Sequence, residues 1–162
     1  MKRVIFALVG LFCAVTVSAQ NWGVGARIGA GFQAQAEYTF ENDNYIDGRF
    51  GMSWCYGGDA LTAEFSALYQ WNIAKMDWTP RTGEWFFDAG AGVGVGGRGH
   101  FAYVGVAGGA KLGIKFNGAP VKIAIDWSPI IGPAILYGGG YSATEYHKRG
   151  LINFGLSCVY CF

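Results

Sequence analysis

The chain of 162 residues carries 27 glycines, 17% aromatic residues and only 14% charged residues, against about 25% charge in an average soluble domain. That balance excludes a disordered chain, which is poor in aromatics and rich in charge, and a formal net charge of +1 lacks the basic excess that a nucleic-acid partner calls for. The length fits one domain and leaves no room for a second.

In chain order the first feature is an export signal. Lys2 and Arg3 form a short positive region, Val4 to Val17 an apolar core, and Val17-Ser18-Ala19 a small-residue cleavage site. Residues 1–19 are therefore expected to be removed, leaving 20–162 as one domain. The apolar core is shorter than the roughly 20 residues of a spanning helix, which argues against a membrane anchor. Cys13 follows Phe12, where a lipidated cysteine would follow a small residue, so it reads as an apolar residue of the signal. Loss of Lys2 and Arg3 leaves ten basic and eleven acidic residues, a net charge of −1.

Beyond residue 21 the hydrophobic pattern has period two, the signature of strands. Eight segments follow: roughly 22–29, 33–40, 45–54, 61–73, 85–96, 102–116, 121–131 and 151–162. Parity runs unbroken through even positions from Trp22 to Phe40, so the first two segments need an odd-length loop near Gly29–Gly31 or are one longer strand. The fourth is the clearest, with Leu61, Ala63, Phe65, Ala67, Tyr69, Trp71 and Ile73 on one face, Thr62, Glu64, Ser66, Gln70 and Asn72 on the other, and Leu68 as the exception. Between segments lie turn residues: 41–44, 55–59, 79–83, 97–100 and 117–120. Pro129 and Pro133 blur the end of the seventh segment, and 132–149 reads as one long loop. An even number of long alternating segments predicts an all-β, eight-stranded antiparallel up-and-down transmembrane β-barrel.

The composition of the polar face decides which side is wet. It holds Arg27, Arg49, Lys111, Lys115 and Lys122 against Glu37, Asp47, Glu64, Asp88 and Asp126, five charges of each sign, among many glycines. A face turned to bulk water would carry more charge and fewer glycines, whereas small side chains suit the narrow lumen of an eight-stranded barrel. The expected lumen pairs are Arg49 with Glu64, Glu37 with Asp47 or Arg49, and Lys111 or Lys115 with Asp88 or Asp126. Folding the strands alternately up and down gathers Trp22, Phe40, Trp71, Trp85, Phe87, Phe116, Tyr160 and Phe162 at one rim, with Trp54 and Trp127 toward the other. Such a belt marks a membrane interface.

These features resemble the small eight-stranded outer-membrane β-barrel family of Gram-negative bacteria. The resemblance spans most of 22–162 and rests on Gly23-Val24-Gly25-Ala26-Arg27-Ile28-Gly29, on Asp88-Ala89-Gly90-Ala91-Gly92-Val93-Gly94, and on the final strand Phe154-Gly155-Leu156-Ser157-Cys158-Val159-Tyr160-Cys161-Phe162. It implies that Phe154, Leu156, Tyr160 and Phe162 belong to a C-terminal signal read by the outer-membrane assembly machinery. It also implies a monomer surrounded by outer-membrane lipid and lipopolysaccharide, with termini and short turns on the periplasmic side; the 74–84 connection fits that asymmetry poorly.

Candidate chemistry is sparse. Cys158 and Cys161 point to opposite faces, too far apart for a disulfide, and His100 and His147 lie at the other end, so no metal or cofactor site is expected. Some barrels of this family modify lipopolysaccharide by moving or removing acyl chains, and Ser142, Glu145 and His147 supply residue types for that, yet a loop gives such a pair little geometric support. The glycine-rich run 90–97 is no phosphate cradle, because no helix follows it. A non-enzymatic envelope role is the leading expectation, with Tyr137, Tyr141, Tyr146 and Gly138-Gly139-Gly140 as the contact surface; a lipid-modifying enzyme and a small porin are the rivals.

Overall fold

The computed structural model describes residues 21–54, 61–138, 141–146 and 149–162, without the side chains of 136–150. The export signal, Cys55 and His147 lie outside the described residues. The described chain is all-β, with strands β1 (Trp22–Gly29), β2 (Gly31–Thr39), β3 (Tyr45–Ser53), β4 (Thr62–Thr79), β5 (Gly83–Arg98), β6 (Phe101–Phe116), β7 (Val121–Trp127), β8 (Ile130–Ile131), β9 (Pro133–Gly138), β10 (Tyr141–Tyr146) and β11 (Phe154–Cys161), and one 3-10 turn at Arg149–Ile152. Strands β1 to β7 pair in sequence, β7 pairs with β11, and β11 pairs with β1. This closes an eight-stranded antiparallel barrel.

Its geometry follows from the register. Starting at Ile125 on β7 and crossing strand by strand through Leu156, Ile28, Phe32, Met52, Ala63, Gly97 and Ala102, the path returns to the same wall at Ile135, ten residues further on. A shear of ten on eight strands, with the usual strand rise and spacing, sets a tilt of about 40° and a backbone radius of about 8 Å. Side chains fill a lumen of that width.

The seventh wall position is one interrupted line. β7, β8 and β9 all pair with β6 in a single unbroken register, from Lys115↔Lys122 through Ala107↔Ile130 to Phe101↔Leu136. The gaps fall at Pro129 and Pro133, which have no N–H to give to the ladder; the Pro129 carbonyl still accepts from Gly108 N at 2.8 Å. The segment expected as a loop is thus a hairpin instead, β9 continuing the wall and β10 pairing back on it. Its side chains from residue 136 on, among them Tyr137, Tyr141, Ser142, Glu145 and Tyr146, lie outside the described residues.

Two further boundaries differ from expectation. β1 and β2 meet in an odd-length turn around Ala30, the first of the two alternatives, with Ile28 opposite Phe32. The 74–84 connection is no loop: β4 and β5 run on as a hairpin and turn tightly at Pro80–Thr82. The turns at 40–44, 80–82 and 117–120 therefore share one end, the turn end, with the chain termini, whereas the equally short turns at Ala30 and at Gly99–His100 lie at the opposite end. In the turn before β3, Asp43 adopts a φ of 64°, a left-handed conformation that Asp and Asn tolerate better than most residues.

Candidate functional site

The charged side chains of the inward positions form one connected network across the lumen. Arg27 Nε donates to Asp126 Oδ1 at 2.7 Å, and its other nitrogens reach Gln33 Oε1 and the Asn153 carbonyl. Arg49 forks onto Asp47 Oδ2 at 2.9 and 2.7 Å and sends its remaining nitrogen across the barrel to Ser128 Oγ at 2.6 Å and Asp126 Oδ1 at 3.3 Å. Lys111 Nζ sits between Glu37 Oε1 and Asp47 Oδ2, 2.8 Å from each. Lys122 pairs with Glu37 Oε2 and lies over the Tyr45 ring. Arg27, Glu37, Asp47, Arg49, Glu64, Asp88, Lys111 and Asp126 are all no more than 2% exposed. Isolated charges so buried would cost several kcal/mol each; here each arginine and Lys111 meets two or more acceptors.

The structure pairs these groups differently from the expectation. Arg49 meets Asp47 and Asp126, not Glu64. Glu64 instead accepts from Gln33 Nε2 at 2.6 Å and the Tyr103 hydroxyl at 2.8 Å. Lys111 passes over its cross-strand neighbour Asp88 to reach Glu37 and Asp47, leaving Asp88 to the Tyr45 hydroxyl and Asn72 Nδ2. Glu37 and Asp47 lie directly opposite one another, and Lys111 between them offsets the repulsion of two like charges. Lys115 is exposed at the turn end rather than buried in the network. The physical reason is the tilt: a long side chain reaches along the barrel axis and across it as readily as to its ladder partner.

Inward glycines make the space for this network. A Cβ on Gly155 would stand 2.7 Å from the Arg27 guanidinium carbon, one on Gly113 would strike the Phe86 ring, and those on Gly90 and Gly109 would meet the Gln70 amide. Leu68, the exception to the β4 alternation, points inward and joins Tyr103, Ala107, Ile130 and Ala134 in a small apolar cluster in the upper lumen. At the turn end a cavity of about 370 Å³ opens between Glu41, Asp43, Lys75, Glu84, Lys115 and Lys122, with Cys161 on its wall. Above this mouth, Lys122, Tyr45 and Glu37 close the lumen floor.

Outside, the distribution inverts. Ile28, Phe32, Phe50, Phe65, Val93, Val106, Ile125 and Leu156 are all exposed, while buried positions are largely polar. From Leu61, just before β4, to Trp71 the apolar face spans ten residues, about 25 Å along the tilted barrel axis, which is the height of the apolar band of bacterial membrane barrels. The lower edge carries a continuous aromatic chain in which Trp22 meets Tyr38, Tyr38 meets Phe40, Phe40 stacks on Tyr69, and Tyr69 meets Trp71, at centroid distances of 5.1–5.9 Å. Trp85, Phe87, Phe116, Tyr160 and Phe162 continue it, and all are partly or fully exposed. Tyr38 is a further member of this belt, legible only from the cross-strand register that places it beside Trp22, and Trp78 lies just below it against Trp85. Trp54 is exposed just beyond β3. Trp127 departs from the expected rim position: it pairs with Ala110, six residues above Phe116 and nine below Phe101 on β6, and stacks on Phe154 partway up the wall. Of the final strand, Phe154, Leu156, Cys158 and Tyr160 face outward and exposed.

No helix among the described residues is long and apolar enough to cross a membrane, a fact without bearing on a barrel. No group of three or more His, Cys, Asp or Glu among the described residues could hold a metal ion. Comparisons with protein-family models, with curated proteins and with solved structures find no match for this chain.

Proposed function

We propose that the protein is a non-enzymatic bacterial outer-membrane barrel with a side-chain-filled lumen, acting in envelope structure or surface interaction through the segments at the end opposite its termini. The observation that carries this reading is the inversion of the barrel: an ion-paired polar interior, an apolar exterior about 25 Å tall, and an aromatic belt along its lower edge. A water-soluble barrel of this size would expose the charges and bury the Phe, Ile and Val residues that here face outward. In this reading export and cleavage after Ala19 deliver the chain, the strand ending at Phe162 is read by the assembly machinery, and lipid with lipopolysaccharide surrounds a monomer. The test is fractionation of cells expressing the protein, with gel mobility before and after boiling. Recovery in the outer-membrane fraction, with a folded form that changes mobility on heating, is expected; recovery of the mature chain in the soluble periplasm would overturn the reading.

A further inference from the structure

The β4–β5 hairpin is the one turn-side connection among the described residues whose strands run well past the closed ring. The last rung that β4 shares with β3 is Tyr45↔Gln70, and below it β4 gains one residue at Asn72/Ala74 and another at Met76/Thr79 relative to β5. Such bulges re-aim side chains. The first turns Lys75 toward the barrel axis, where it joins Asp43 at 2.9 Å and Glu84 at 3.5 Å. Both bulges leave the opposite face apolar: Trp78, 61% exposed, lies against Trp85 at a centroid distance of 5.4 Å. The Trp85 indole N–H is satisfied within the hairpin by Thr79 Oγ1 at 2.8 Å. Neighbouring turns brace the tip, since Asn117 donates from its side chain to the Pro80 carbonyl and from its backbone to the Thr82 carbonyl. Arg81 is exposed at the turn.

The geometry points to an interfacial anchor: the hairpin seats Trp78 and Trp85 in the phospholipid headgroup layer on the turn side, with Arg81 placed for the phosphates. This rests on the outer-membrane reading above. The apolar face of the hairpin is continuous with the aromatic belt, and Trp78 lies roughly 5 Å below the belt's lower edge at Phe116 and Phe162, within the thickness of a headgroup layer. Tryptophan with a basic neighbour suits that layer, where ring and charge find apolar and phosphate partners together.

The test uses the mature protein labelled with fluorotryptophan and folded into vesicles of phosphatidylcholine and phosphatidylglycerol. Fluorine signals are assigned by Trp78→Phe, or by Trp78→Tyr if that chain does not fold. A gadolinium chelate on a lipid headgroup is expected to broaden the Trp78 signal several-fold more than the same chelate free in water. If Trp22 and Trp71 respond to the lipid probe while Trp78 responds to the free chelate, the hairpin stands in water and the inference is wrong although the barrel is inserted. If none of the three responds to the lipid probe, the membrane reading fails with it.

Discussion

Asp126 is the residue on which the lumen network turns. Its Oδ1 accepts from both Arg27 and Arg49, which arrive from β1 and β3, so it joins the closing strands to the far wall. Asp126→Ala would strip the buried Arg27 guanidinium of its ion-pair partner and leave Arg49 with Asp47, and it is expected to cost about 3–5 kcal/mol, read as a shifted urea midpoint in lipid vesicles by tryptophan fluorescence. Asp126→Asn keeps an acceptor and should cost less. Gly155 and Arg27 form a second coupled pair, because the guanidinium lies where a side chain at 155 would begin. Gly155→Ala should destabilise by about 1–3 kcal/mol, and much of that loss should vanish in the Arg27→Ala background, as a double-mutant cycle would reveal. Additive losses would mean that the two positions do not compete for the same space.

At the scale of elements, alternation along the chain was enough to place the barrel strands, because one apolar and one polar face repeat with period two wherever a strand separates two environments. β1 coincides with its expected bounds, and β3 and β6 agree within one residue at either end. The failures have particular causes. The hairpin of β9 and β10 begins at the second of two prolines, Pro133, and has the glycine run 138–140 between its strands, so that alternation and turn signals overlap. The lower part of β4 hid behind bulges, which shift the period by one residue. The charge pairs were unreadable because they depend on the shear, a property of the whole ring that no single strand encodes. The prolines also have a dynamic consequence. Only two rungs of β8 stand between them, so amide exchange at Ile130 and Ile131 should be markedly faster than at Ile123 and Ile125 of β7, where the ladder is continuous on both sides. Equal protection across the breaks would show that Pro129 and Pro133 cost the wall nothing.

For the whole molecule the issue is passage. The lumen is crossed by the Asp126–Arg49–Asp47–Lys111–Glu37 chain of contacts, and its upper part holds the Leu68 cluster. Ions would have to displace buried pairs to get through, so the purified protein in planar bilayers should give no steady current. A steady open-channel current weakened by Arg49→Ala or Lys111→Ala would mean that these side chains line a water path, making the protein a small porin.

The even shear sets a rule for how this barrel can change length. A closed ring in which neighbours alternate between two faces tolerates no odd offset, because one extra residue in a strand sends every later side chain to the wrong side. β4 carries two such extra residues, yet both lie below Tyr45↔Gln70, where the strand has left β3 and has β5 as its ladder partner. There a reversal of parity is harmless, and it is how Lys75 comes to face the axis. The chain therefore has a place where single-residue insertions can accumulate without reopening the ring, between about 73 and 82. The same insertion between 62 and 64 would turn Glu64 and Gln70 from the lumen to the apolar outer face.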